Sequence, residues 1–205
     1  MSKPVKYDHK GRPTTLHPYN VFLTLFLAGM TMLFLALSAS YLYTRIQMDI
    51  PPIRLPGLFI INTIILILSS YTMKRANDSY REDDTEKYVQ SLIYTIVLSL
   101  IFMLSQAVAW KMLFNNNIPI AHSTTASYLY LISFLHFAHV IAGIPFLILF
   151  IRTARLRMKE PVSVLVYFSD PEKKLKLKLL TFYWHFLDVL WIYLVVFFYV
   201  NHLIS

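Results

Sequence analysis

The sequence predicts an all-α integral membrane bundle of five transmembrane helices, with the N-terminus in the cytoplasm and the C-terminus outside. Three observations carry this. Apolar residues make up 57% of the 205-residue chain and charged residues only 15%, against roughly 25% charge in an ordinary soluble domain. The apolar residues gather into continuous runs of about the 20 residues that a hydrocarbon core of ~30 Å requires. Between those runs the cations fall on alternate sides, as orientation in a membrane demands.

The elements follow in order. Residues 1–19 form a polar N-terminal segment with Lys3, Lys6, Lys10 and Arg12, expected in the cytoplasm. The first apolar run, 20–43, is too long for the core of a signal peptide, although Ser38-Ala39-Ser40 has the small residues of a cleavage site. It is read as an uncleaved first span. The second, 55–73, is the shortest and follows Pro51-Pro52 and Pro56, which disfavour helix in the linker and suit a tight turn. The third and fourth are 90–113 and 127–151, and the fifth is 179–201. Continuity rather than alternation selects helix over strand, because within a bilayer each backbone group must find its partner inside its own segment. Residues 20–205 are thus expected to form one five-helix membrane domain.

Orientation comes from Lys and Arg. The N-terminal segment carries four, the loop after the second run four (Lys74, Arg75, Arg81, Lys87), and the loop after the fourth run eight. The other side has only Arg45, Arg54 and Lys111. This one-sided excess also explains the formal charge of +8 without nucleic acid as a partner. The segment Asp78–Lys87 mixes both signs and is expected to be a solvated turn. In the loop 152–178, Arg152, Arg155 and Arg157 are candidates for phospholipid headgroups, each near-surface cation being worth about 1 kcal/mol. An apolar patch, Val162–Phe168, interrupts the basic residues. Cysteine is absent, which excludes disulfides, thiolate metal sites and covalently attached c-type haem within the chain. It leaves a haem held by histidine open.

Four ionisable side chains lie well inside the runs: His136, His139, His185 and Asp188. Each of the pairs His136/His139 and His185/Asp188 is three apart, hence on one helix face. A carboxylate near the bilayer centre costs roughly 2.5–3.5 kcal/mol and calls for a partner or a proton. Depth counted along the helices differs by only ~5 Å between His139 and Asp188, so the expected partner of Asp188 is His139 or its neighbour His185. Trp184 and Trp191 bracket the pair two turns apart. Three readings compete: a polar knot locking helices together, a haem ligated by histidines of facing helices, and a proton or ion relay. Gly143 and Pro145 mark a kink in the fourth run, and Gln106 and Trp110 share a face of the third.

The run Trp184-His185-Phe186-Leu187-Asp188-Val189-Leu190-Trp191 resembles the C-terminal W-H-F-x-D-x-x-W signature of subunit III of haem–copper terminal oxidases. Phe134-Leu-His136-Phe-Ala-His139-Val140-Ile-Ala-Gly143 is similar to that family's H-x-x-H-V-x-x-G span. Leu58–Ser70, with Asn62-Thr63 and Ser69-Ser70, resembles its N-T-x-x-L-x-x-S-S helix. Tyr41-Leu-Tyr43-Thr-Arg45 and Gln106-Ala-Val-Ala-Trp110 match two further segments. The likeness runs in order from about residue 18 to the end, and five spans rather than seven resemble the shorter bacterial form.

The resemblance implies a multi-pass protein of the bacterial cytoplasmic (inner) membrane with no catalytic residue, metal or redox centre of its own. Haem and copper would sit in the partner subunits I and II. The chain would pack on the catalytic subunit, bind phospholipid and support stability and proton uptake, with membership of a larger respiratory supercomplex compatible. Two departures matter: Met30 and Ala109 stand where the family often carries buried carboxylates. The residues expected to form the structural and lipid-contact core are Trp110, His136, His139, Trp184, His185, Asp188 and Trp191. The competing reading is a membrane cytochrome-type subunit holding haem or quinone through His136 and His139.

Overall fold

The computed structural model describes residues 18–50, 53, 55–116, 118–120, 123–158 and 161–204; the basic residues expected at the N-terminus, and Arg54, lie outside these. Among the described residues six helices follow one another: α1 (Pro18–Gln47), α2 (Leu58–Arg81), α3 (Thr85–Asn115), α4 (Thr124–Arg157), the short α5 (Pro161–Phe168) and α6 (Pro171–Leu203). All but α5 are long and apolar enough to cross a membrane. Every expected run lies within one of them, save that α2 begins three residues later than anticipated, behind Gly57.

The helices outrun the apolar segments because their ends are specified by polar residues. Asp84, Ser123 and Asp170 each accept a hydrogen bond from a backbone N–H of the first turn that follows, capping α3, α4 and α6. Pro171 opens α6, where a missing N–H costs nothing. The Lys173 ammonium beside Asp170 also holds that carboxyl below the usual carboxylate range. At the end of α2 the Asp84 N–H returns to the Ser79 carbonyl, 3.0 Å away, while Asp83 adopts φ 57°. The end of α1 repeats the device with Ile50 N–H to Arg45 O and Asp49 at φ 48°. Both are closures with a left-handed residue, a place where aspartate is better tolerated than most side chains.

One expectation about the loops needs correction. The segment Asp78–Lys87 is not one turn: Asp78–Arg81 continues α2, Thr85–Lys87 opens α3, and only 82–84 link them. The apolar patch in the loop 152–178 is helical and forms most of α5. Tyr80, Tyr88 and Phe168 meet edge-on beneath it, and the Tyr80 hydroxyl donates to the Tyr167 carbonyl at 3.0 Å.

The short link makes α2 and α3 a tightly packed hairpin, the most extensive helix pair in the molecule. Helix α6 packs on α1, α2 and α4, and α4 in turn packs on α1 and α3. The last crossing therefore runs through the middle of the bundle, which is why its polar residues meet protein. At the far end of α6, Arg45 of α1 clasps Asn201 through its carbonyl at 2.7 Å and its side-chain oxygen at 3.0 Å.

Candidate functional site

The site is built where α6 passes between its neighbours. Trp184 and Trp191 are both 1% exposed, and each ties α6 to several neighbouring helices. The Trp184 indole N–H donates to Ser69 Oγ on α2 at 3.0 Å. Its ring fills the space left by Gly143 on α4: a Cβ there would stand 2.7 Å from Trp184 Cζ3 and 3.1 Å from a Tyr183 ring carbon. Gly143 is thus a contact point, because only a residue without a side chain lets α4 approach the indole this closely. The Tyr183 hydroxyl then reaches the His139 carbonyl at 2.8 Å and fixes the same seam.

Trp191 sits in an aromatic box. It stacks on Phe59 of α2 at 5.7 Å and meets Phe102 of α3 edge-on at 5.1 Å. His136 of α4 lies against it at 4.9 Å between ring centroids. One residue of α6 thereby touches three other helices. His136 is fully buried and donates from Nε2 to the Leu187 carbonyl at 3.1 Å. On the layer beside this box, the Asn62 side-chain amide of α2 donates a buried hydrogen bond to the Gln106 Oε1 of α3 at 2.8 Å. Trp110 bonds Ser133 of α4 through its indole N–H at 3.0 Å.

The expected pairing of Asp188 is not what the structure holds. Asp188 is 4% exposed, so it is shielded as anticipated, but neither His139 nor His185 reaches it. His139 turns its Nδ1–H onto the Leu135 carbonyl of its own helix at 2.7 Å, with its ring against Phe34 of α1. His185 shares a 2.5 Å hydrogen bond through Nδ1 with Ser70 of α2. One oxygen of Asp188 is buried without a hydrogen-bond partner among the described residues, the Ser70 hydroxyl lying beside the carboxyl. The reason is angular. Residues three apart on a helix are offset by about 60°, and His185 and Asp188 both turn towards Ser70 of α2 rather than to each other.

The same offset separates His136 and His139, one turned to α3 and α6 and the other to α1. Each already spends a ring nitrogen on a carbonyl, and His136 is walled by Trp191 and Phe102. They are not arranged to ligate one iron from facing sides. Among the described residues no group of three or more His, Cys, Asp or Glu could hold a metal ion. Met30 and Ala109 are buried apolar residues, 4% and 0% exposed.

A second feature lies on the other side of α6. A cavity of about 740 Å³ opens between α1, α4, α5 and α6, walled by Phe22, Phe26, Phe146 and Leu149, with Lys173 and Lys176 at its polar end. That volume is within the ~300–1,000 Å³ typical of small-molecule sites. Lys173 pairs with Asp170 at 3.1 Å, and Lys176 with Glu172 at 2.7 Å. Arg152 and Arg155, expected at a headgroup, are exposed and line no part of this cavity; the Arg157 side chain lies outside the described residues. The lysines were legible as a basic pair three apart at the start of α6, but the α1 and α4 walls are distant in sequence.

The family profile described as cytochrome c oxidase subunit III matches residues 14–202. A probable cytochrome c oxidase subunit 3 of Rickettsia prowazekii is 31% identical over 140 residues, 68% of this chain and 46% of that protein. The cytochrome c oxidase subunit 3 of Homo sapiens is 30% identical over 146 residues, 71% of this chain and 49% of that one. That of Danio rerio is 31% identical over 137 residues, 67% and 48% of the two chains. The chain spans about half the length of the curated relatives it matches.

Proposed function

Because this chain belongs to the cytochrome c oxidase subunit III family, we propose that it is a non-catalytic subunit of a respiratory haem–copper oxidase. The complex reduces oxygen to water and pumps protons, while this chain packs on the catalytic subunit beside subunit II. The observation that carries the reading is the use of its buried polar groups. Ser69, Asn62, Gln106, Ser133 and His136 each make a helix-to-helix bond, as a scaffold requires. The residues Trp110, His136, His139, Trp184, His185, Asp188 and Trp191 act in this reading as architecture. Sixteen of the nineteen Lys and Arg lie on the N-terminal side of the membrane, which favours a cytoplasmic N-terminus in a bacterial inner membrane.

The test is purification of the tagged chain from its membrane in mild detergent, with identification of what accompanies it. Recovery of the catalytic oxidase subunit in stoichiometric amount is expected. Its absence from the preparation would overturn the assignment.

The cavity between α1, α4, α5 and α6 supports a bound phospholipid, acyl chains against Phe22, Phe26 and Phe146 and an anionic headgroup at Lys173 and Lys176. Native mass spectrometry of the same preparation is expected to find lipid retained on this chain. The double variant Lys173→Glu, Lys176→Glu should lose roughly two near-surface charge contacts at ~1 kcal/mol each, and so most of the anionic lipid. Undiminished retention would place the lipid elsewhere.

A further inference from the structure

The outer surface of a transmembrane bundle is uniformly apolar where it meets acyl chains, and most of this chain conforms: Met32 of α1 is 72% exposed and Leu104 of α3 70%. Half-buried histidines interrupt it, and one of them lies on an exposed stripe of α6. On α6, Phe182 and Val189 are 60% and 64% exposed, and His185 lies between them, three residues after one and four before the other, on the same face. His185 is half-buried. Its Nδ1 is held by Ser70 at 2.5 Å. Its Nε2 has no partner among the described hydrogen bonds and is not among the buried unpaired atoms, so it reaches the surface of the bundle. Ser70 is itself half-buried, beside exposed Ile67 and Tyr71, with exposed Lys74 one turn further along α2. The groove between α2 and α6 therefore presents an oriented imidazole nitrogen at membrane depth.

Acyl chains can neither donate to nor accept from that nitrogen, and a polar group left unpaired in hydrocarbon is costly. The serine fixes the ring, so the imidazole cannot simply turn inward. Resting on the subunit assignment above, we infer that the α2–α6 face centred on His185 is the surface by which this chain docks on a transmembrane helix of the catalytic subunit, Nε2 meeting a hydrogen-bonding group on that helix. Phe182, Val189 and Ile67 supply the apolar contact around it. Polar groups of this kind join helices in bilayers, where their alternative is lipid. His185 is a positioning residue for assembly.

The experiment is photo-cross-linking in the intact membrane, with p-benzoylphenylalanine placed singly at Phe182, Val189, Met32 or Leu104. Cross-links to the catalytic subunit from Phe182 and Val189, with lipid adducts from Met32 and Leu104, are expected. Cross-links to that subunit from Met32 or Leu104 alone would overturn this docking face while leaving the subunit assignment intact. Cross-links to no oxidase subunit from any position would overturn both. In the purified complex, His185→Phe should lower retention of this chain roughly 3- to 15-fold, the range of one interhelical hydrogen bond, and His185→Gln should restore most of it. Equal retention of the Phe variant would overturn the role given to Nε2, independently of the cross-links.

Discussion

Trp191→Ala is expected to be among the most damaging single truncations in the bundle, costing about 3 kcal/mol. The value is the low end of the 3–5 kcal/mol found for burying and then deleting large aromatics in water-soluble cores. Part of that range is transfer from water, and this part falls away in a bilayer whose tails are as apolar as the protein interior. The cavity remains. Trp191 is in contact with Phe59, Phe102 and His136 at once, so its removal loosens α2, α3 and α4 from α6 together. Trp191→Phe should keep most of the box. Reversible unfolding of the detergent-solubilised protein with increasing SDS gives the measurement. An alanine variant within about 0.5 kcal/mol of the parent would show that the box is not a keystone.

Gly143 should be the position least tolerant of added volume. Any side chain there places its first carbon 2.7 Å from the Trp184 ring, and the ring is held on its other side by the bond to Ser69. Neither group can yield by rotating a flexible end, so α4 must move from α6. Overpacking of this kind costs about 1–3 kcal/mol, sometimes more, and Gly143→Val should lie at or above the top of that range. It should also strain the Tyr183–His139 bond on the same seam. Combining Gly143→Ala with Trp184→Leu offers a sharper test. If the two residues conflict directly, the double variant loses less than the two single losses combined. Strict additivity would mean that Gly143 acts through something other than the indole.

The structure also separates what the residue pattern showed from what it could not. The four intramembrane ionisable groups, the bracketing tryptophans and the pairing of Gln106 with Trp110 on one face were visible as spacings. Burial of Asp188 followed from its cost in lipid, and the structure agrees. Its partner did not follow. Depth arithmetic made a His139–Asp188 bond possible, yet His139 faces α1 and His185 takes Ser70. Ser69 and Ser70 stood side by side in one motif of the resemblance, and they divide their work between Trp184 and His185. Gly143 reads with Pro145 as a kink, and the structure adds that its missing side chain admits an indole. Each of these depends on rotation of one helix against another, which a one-dimensional pattern does not contain.

Five crossings, their approximate limits, the one-sided distribution of cations and the family resemblance were thus determined by the amino-acid sequence alone. Those properties rest on continuous hydrophobicity and on charge, which act locally along the chain. The choice of neighbour for each polar side chain, the aromatic box, the lipid-sized cavity and the outward nitrogen of His185 were decided only by tertiary structure. An offset of about 60° between residues three apart leaves them on one nominal face yet can send them to different helices, as with His136 and His139, or to one shared serine, as with His185 and Asp188, and only the packed bundle fixes which.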